Sequence, residues 1–336
     1  MRRGIMKKII ILIAFISIIS CSQSITENVS EEKKSEEIFW EQTSAIDKRV
    51  DVLTIDSKDN ILVGAANGRI YRSTDNGKSW VYINSKLLSL IFHVNSIAIN
   101  SKGHIFFSDG QIYRSSDQGM SWMEVSNNKV RANYLLISPE DEIYAISCCG
   151  WESSGVYRSI DDGVSWTKPD SVIKSFSPYS LSLNSKGHLF AISNVGVFIS
   201  LDKANTWRKI KDGYTYALTI DNNDELFIVS GYAQSKTLFK STDNGINWER
   251  ISDVAITDLV INSKGIMYGI NGTIGMVRSV DGGKSWQEIN SGLMQIFARR
   301  VAINSRGFIF AGTASYDKYS QLEKGEVFKS IKSTLE

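Results

Sequence analysis

An all-β fold, in which seven four-stranded sheets close into a ring, is predicted by three features of the 336-residue sequence. The first is a motif, Ser-x-Asp-x-Gly-x-x-Trp, that recurs at nearly constant spacing. It stands at Ser73, Asp75, Gly77 and Trp80; at Ser115, Asp117, Gly119 and Trp122; and at Ser159, Asp161, Gly163 and Trp166. It returns at Ser241, Asp243, Gly245 and Trp248 and at Ser279, Asp281, Gly283 and Trp286, with a degenerate copy at Ser200, Asp202, Ala204 and Trp207. Successive Asp residues lie 42, 44, 41, 41 and 38 positions apart, which is the length of one four-stranded propeller blade, roughly 40–50 residues. The second feature is what precedes each motif: an apolar strand, an Asn/Asp-Ser-Lys-Gly turn, a second strand and a variable loop. The third is that the two ends of the chain supply complementary halves of one more such unit.

The chain begins with a different kind of segment. Lys7 and Lys8 precede an apolar run from Ile9 to Ile19 that ends in Ser20 and Cys21, the pattern of a secretory signal. The run is too short for a comfortable membrane span. Ile18, Ile19, Ser20 and Cys21 resemble a bacterial lipobox, which implies removal of residues 1–20 and acylation of Cys21. Met6 offers an alternative start, and Ser22 is not the Asp that retains enterobacterial lipoproteins at the inner membrane. Residues 21–37 are polar and charged, too poor in apolar surface to pack, and read as a solvated tether. Localisation at the bacterial cell envelope, anchored to the lipid bilayer through Cys21, is therefore expected.

Residues 38–336 are expected to form a single seven-bladed β-propeller. Arg300 to Phe310 repeat the strand–turn–strand unit a seventh time, and Val327, Phe328, Lys329 and Ser330 match the residues that lead into each motif. The chain then ends before another Trp. Phe39, Trp40, Glu41 and Gln42 match Ser79, Trp80, Val81 and Tyr82, so the N-terminal strand is expected to complete the last blade. Such closure removes the exposed edges of an open sheet.

These motifs resemble the Asp-box, or BNR, repeats of sialidases, sortilin-type receptors, xyloglucanases and photosystem II assembly factors. The resemblance covers about residues 38–336. It implies that Asp75, Asp117, Asp161, Asp202, Asp243 and Asp281 are structural, each in a tight turn between the third and fourth strands, and not catalytic carboxylates. Residue chemistry agrees: Asp caps turns, Gly tolerates a positive φ, and Trp80, Trp122, Trp166, Trp207, Trp248 and Trp286 are large enough to fill gaps between sheets. Ala204 in place of Gly predicts a distorted turn in the fourth copy.

The resemblance implies that ligands meet the face opposite the Asp-box turns. Aligning the repeats puts Asp51, Asn95, Asn133, Tyr179, Tyr216, Thr257 and Arg299 at the starts of the innermost strands on that face. Val52, Ser96, Tyr134, Ser180, Ala217, Asp258 and Arg300 follow them. Arg131 and Trp151 stand on its connecting loops. Closure brings Arg299 and Arg300 near Lys48 and Arg49. This cluster is either an anion-binding patch, since Arg forks suit carboxylate and phosphate, or surface charge paired with Asp51 and Asp258. The second reading is preferred because exposed ion pairs are common.

Sialidases imply a different chemistry: three Arg on a substrate carboxylate, a Tyr nucleophile assisted by Glu, and an Asp acid. Here Arg49, Val50 and Asp51 lack the Pro of the sialidase motif, and no Tyr–Glu pair can be assigned. Xyloglucanases place paired Asp residues between two propellers, and only one is encoded. The glycine- and tryptophan-rich second strands of the photosystem factors are not visible in His104 to Ser108 or His188 to Ser193, so that specific role has little support.

Other residues carry less. His104 and His188 occupy equivalent hairpin positions, so they are repeat residues and not metal ligands. Cys148 and Cys149 are adjacent near a strand end, where two buried thiols are favoured over a strained vicinal bridge. Asp221, Asn223 and Glu225 mimic part of a calcium loop but align with the ordinary turns. The chain from Cys21 onward carries a formal charge of −2 once Arg2, Arg3, Lys7 and Lys8 are set aside, which gives no footprint for nucleic acid. With no cofactor or metal indicated, the expected function is a monomeric, non-catalytic binding or scaffold module for a protein or glycan. A glycoside hydrolase of sialidase or xyloglucanase type is the alternative. Cys21→Ser is expected to block lipid attachment, with metabolic palmitate labelling lost as the readout.

Overall fold

The computed structural model describes residues 38–335, apart from 44–45, 47, 88–92, 128–129, 148–153, 169–176, 233–234, 294–296 and 317–322. Cys21, the tether, Trp151, Cys148 and Cys149 lie outside the described residues. Seven blades follow one another, beginning with Val50–Ile55, Ile61–Ala65, Ile70–Ser73 and Val81–Tyr82 as blade one. Every pairing within a blade is antiparallel, from the innermost first strand to the outermost fourth.

Burial explains the repeating apolar pattern. The second strands, such as Ile61–Ala65, Leu189–Ser193 and Ile309–Thr313, are buried at every position because neighbouring blades cover both sheet faces. Fourth strands such as Val81–Tyr82 and Met123–Glu124 are short and largely exposed. In blade three the described residues of the fourth strand pair through a single bridge between Arg158 and Thr167.

Blade seven is assembled from both ends of the chain. Its strand order is Trp40–Gln42, Val327–Ser330, Ile309–Thr313 and Ala298–Ile303. Trp40 lies opposite Ser330 and Gln42 opposite Phe328. Trp40 is 1% exposed, and its indole N–H donates to the Ile289 carbonyl of blade six at 2.5 Å. The same bond recurs from Trp166 to Val125 and from Trp248 to Ile210, each reaching back one blade.

The Asp box is a hydrogen-bonded turn. The Ser73 hydroxyl donates to Asp75 Oδ1 and accepts from the Gly77 N–H. The Ser79 N–H and hydroxyl donate to the two carboxylate oxygens of Asp75 at 2.9 and 2.5 Å. Those donors hold the Asp75 carboxyl at about 2, below the usual range. Two successive residues take positive φ, Asn76 at 65° and Gly77 at 87°. A Cβ on Gly119 would lie 2.6 Å from the Ile83 Cβ of the preceding blade, so most copies need glycine.

The fourth copy is not distorted, contrary to the expectation from Ala204. Ser200, Asp202 and Thr206 make the same bonds, and Lys203 and Ala204 sit at φ 60° and 70°. The Ala204 methyl is fully buried in the core cluster shared with Tyr144 and Val156 of blade three. Packing of that methyl offsets the backbone strain of a non-glycine residue at positive φ.

Closure makes the N-terminal strand a stability element for the whole ring. Deleting residues 38–43 removes Trp40 and leaves the edge of Val327–Ser330 unpaired. Loss of the buried indole alone is expected to cost on the order of 3–5 kcal/mol. A thermal melt unchanged by the deletion would contradict the pairing.

Candidate functional site: the mouth of the central channel

The first strands run from the loop face to the Asp-box face, so their side chains surround the ring axis. They line a channel of about 880 Å³. Asn95, Asn133, Tyr179, Tyr216 and Thr257 all lie in its wall, as do Val52, Ser96, Tyr134, Ser180, Asp258 and Arg300. Asp51, Arg299 and Ala217 do not; Ala217 is buried in the core beside Leu259.

Backbone register shifts at residues on both sides of that division. In blades one, five, six and seven the first strand slips relative to the second between Val50 and Val52, Thr215 and Ala217, Ile256 and Asp258, and Ala298 and Arg300. Each slip is a β-bulge, and the residues it bypasses are Asp51, Tyr216, Thr257 and Arg299. A bulge re-aims side chains locally and is favoured at the rims of closed sheets. Repeat alignment locates these positions but cannot show which way they turn.

Two charge groups flank blade seven, one toward blade one and one toward blade six. Arg49 Nε and its terminal nitrogen donate to the Asp51 carboxylate at 2.9 and 3.1 Å. Arg299 stands 3.8 Å from the same carboxylate. The pairing preferred in the sequence is thus the arrangement that Asp51 adopts. Asp258 is half-buried, its Oδ2 accepting from the Val301 N–H and its Oδ1 from the Leu259 N–H, both at 3.1 Å. Desolvation pushes its carboxyl up, against the pull of Arg300 and those two N–H groups. Arg300 is exposed and donates to the Arg299 carbonyl at 2.8 Å.

Blades four and five contribute an aromatic group. Tyr214 lies 6.1 Å from Tyr179 and 4.7 Å from Tyr216, centroid to centroid. Lys236 Nζ sits 4.0 Å from the Tyr216 ring centre, a cation–π contact. The Tyr179 hydroxyl donates to the Thr215 carbonyl. Sequence reasoning missed Tyr214, although a Tyr-x-Tyr pair at a strand start was a visible signal. Tyr232 is exposed at the tip of the blade-five hairpin. Arg131 is exposed beside Ala132, which bridges to Gly110 away from these groups.

The other candidates resolve simply. Asp221 caps its own turn, accepting from the Asn223 and Glu225 N–H groups, and has no calcium geometry. His104 Nδ1 lies 3.3 Å from Asp162 on the Asp-box face. Among the described residues there is no cluster of three metal-ligating side chains.

The sequence profile of the photosynthesis system II assembly factor YCF48 matches residues 31–313. The chain belongs to this family. The solved structure described as YCF48 bound to D1 peptide shares 14% identity at a TM-score of 0.67, covering 89% of this chain and 98% of that one. YCF48 from Cyanidioschyzon merolae gives 14% and 0.65, with 87% and 98% covered. The GH74 enzyme of Niastella koreensis gives 15% and 0.63, covering 83% of this chain and 51% of the enzyme, so the chain spans about half of it. No curated protein sequence matches the chain. At such identities the likeness to these structures is one of fold. Family membership rests on the repeats along the chain, although this YCF48-family propeller lacks tryptophan in second strands such as Ile105–Ser108 and Leu189–Ser193.

The raised carboxyl of Asp258 has a testable sign. A folded-state value above the unfolded one means the folded chain holds the proton more tightly, so this group's contribution falls as pH rises past about 4. Asp258→Asn is expected to gain thermal stability relative to the parent between pH 4 and pH 7. Parallel melting curves across that range would contradict the burial argument.

Proposed function

We propose that this propeller is a non-catalytic, lipid-anchored module of the cell envelope that holds a protein partner at the channel mouth. The observation that carries this reading is how the carboxylates there are engaged. Asp51 is held by Arg49 and Arg299, and Asp258 by two backbone N–H groups. A glycosidase needs one carboxyl free to deliver a proton and a second free to attack or to activate water. What the mouth offers instead is spread: Tyr214, Tyr216, Lys236, Arg299 and Arg300 around a polar opening, the mix of aromatic and Arg side chains that protein interfaces favour. The family supports the same class of partner, since a YCF48 structure is described as bound to a peptide. Acylation at Cys21 would keep the module at a membrane surface.

In-cell photo-crosslinking separates the readings. A crosslinking side chain at Tyr216 is expected to give a discrete protein adduct, one at Lys284 on the opposite face none, and Arg299→Ala with Arg300→Ala should weaken the first. Release of sugar from a sialoside or β-glucan by the purified protein, abolished by Asp258→Asn, would replace this reading with a hydrolase.

A further inference from the structure

We infer that the Asp-box face lies against the bilayer that holds the anchor, with aliphatic turn tips seated among the lipid headgroups and the channel mouth turned away. This rests on the proposed acylation of Cys21, and three observations carry it.

The first is the placement of exposed apolar side chains. Met120, Ile160, Leu201, Ile246 and Val280 occupy the tips of the boxes of blades two to six, and each is between 61% and 71% exposed. Val164 and Ile331 add to the same rim. Their side chains take no part in the bonding of the turn, which uses only backbone N–H groups there, so the fold makes no demand for an apolar residue. Isolated exposed aliphatics are ordinary, but a rim of them on one face of six consecutive blades is an interaction surface. The loop face is sparser: Val195 and Ile274 are near 40% exposed, with Tyr232 and Phe297 beside them.

The second observation is the path of the chain. Trp40 pairs with Ser330, the residue that leads into the Ile331 turn, and the Ile331 N–H donates to the Phe39 carbonyl. The backbone before Trp40 therefore leaves the propeller on the Asp-box face, and Ile38 is itself exposed there. Ser22 to Glu37 join it to Cys21. The attachment point of the proposed anchor is therefore on this face and not the other.

The third is charge. Lys58, Lys102, Lys186, Lys264 and Arg306 are exposed on the strand-one-to-strand-two turns of this face. Carboxylates of the boxes and of neighbouring turns offset them, as where Lys102 pairs with Asp162 and Arg306 with Asp59. Contact is accordingly made by the aliphatic tips, which gain by leaving water at the interface, and not by attraction to anionic lipid.

The full acylated chain, reconstituted in phosphatidylethanolamine–phosphatidylglycerol vesicles containing brominated lipid, tests this. A fluorescent side chain at Ile160 is expected to be quenched several-fold more than one at Tyr232, with little change between low and high salt. Val164→Asp with Ile246→Asp and Val280→Asp should abolish that difference while leaving acylation and the melting temperature unchanged. Equal quenching at both sites, stronger quenching at Tyr232, or quenching at Ile160 unaltered by the three substitutions overturns the orientation. Self-association of the acylated chain through this rim, seen as tip-to-tip energy transfer between molecules without lipid quenching, also overturns it. Mass spectrometry of the N-terminal peptide identifies the other failure: an unacylated Cys21 removes the anchor and this orientation with it.

Discussion

Seven sheets whose second strands are buried on both faces cannot stand singly, and the architecture follows from that constraint. Ile61–Ala65 or Ile309–Thr313, with every position buried, would lie open to water on an isolated blade. Each blade needs two neighbours, so the row must close on itself. Closure then depends on one short strand, Trp40–Gln42, whose indole fills the gap to blade six as the other box tryptophans do between theirs. Loops can vary on such a frame because most of the inter-blade packing is made by the strands and the box tryptophans.

The turns on the Asp-box face reinforce the same interfaces. Asp59, Asp141 and Asp224 sit at positive φ in the first turn of blades one, three and five, where other blades use glycine. Each carboxylate accepts from the N–H and hydroxyl of a serine on the preceding blade: Ser305, Ser101 and Ser185. Glu142 performs a similar task between blades three and four. Burial raises its carboxyl, but bonds from Arg158, Lys203 and Tyr144 outweigh that and hold it at about 2. These carboxylates on the Asp-box face are therefore engaged in joining neighbouring blades.

Much of this frame was legible because the repeat fixes residue type at each position. Ser, Asp, Gly and Trp at their intervals specify a turn and the interface behind it, and Trp40 betrays its role by matching Trp80. What escaped was set by pairing and packing. Ala204 keeps an undistorted turn with its methyl buried in the cluster that includes Tyr144 and Val156 of blade three, a packing partner that the repeat pattern does not name. The candidate site was legible as a ring of positions, including Tyr134, Tyr179, Asp258 and Arg300. Side-chain direction was not, since the bulges at Asp51, Tyr216, Thr257 and Arg299 are a property of strand register and leave no mark in residue type.

The pairing of Trp40 with Ser330 also sets a timetable. Trp40–Gln42 leaves the ribosome long before its partner Val327–Ser330 and waits for it. Contacts so distant along the chain are reached slowly, because a large loop must close before they form. Until then six blades can stack on one another while the seventh stays a three-stranded edge and the Trp40 side chain remains in water. A chain made from its N-terminus is thus held incomplete until Val327–Ser330 arrives, and a truncated product lacking that strand bears an unpaired edge that quality-control proteases and chaperones can recognise.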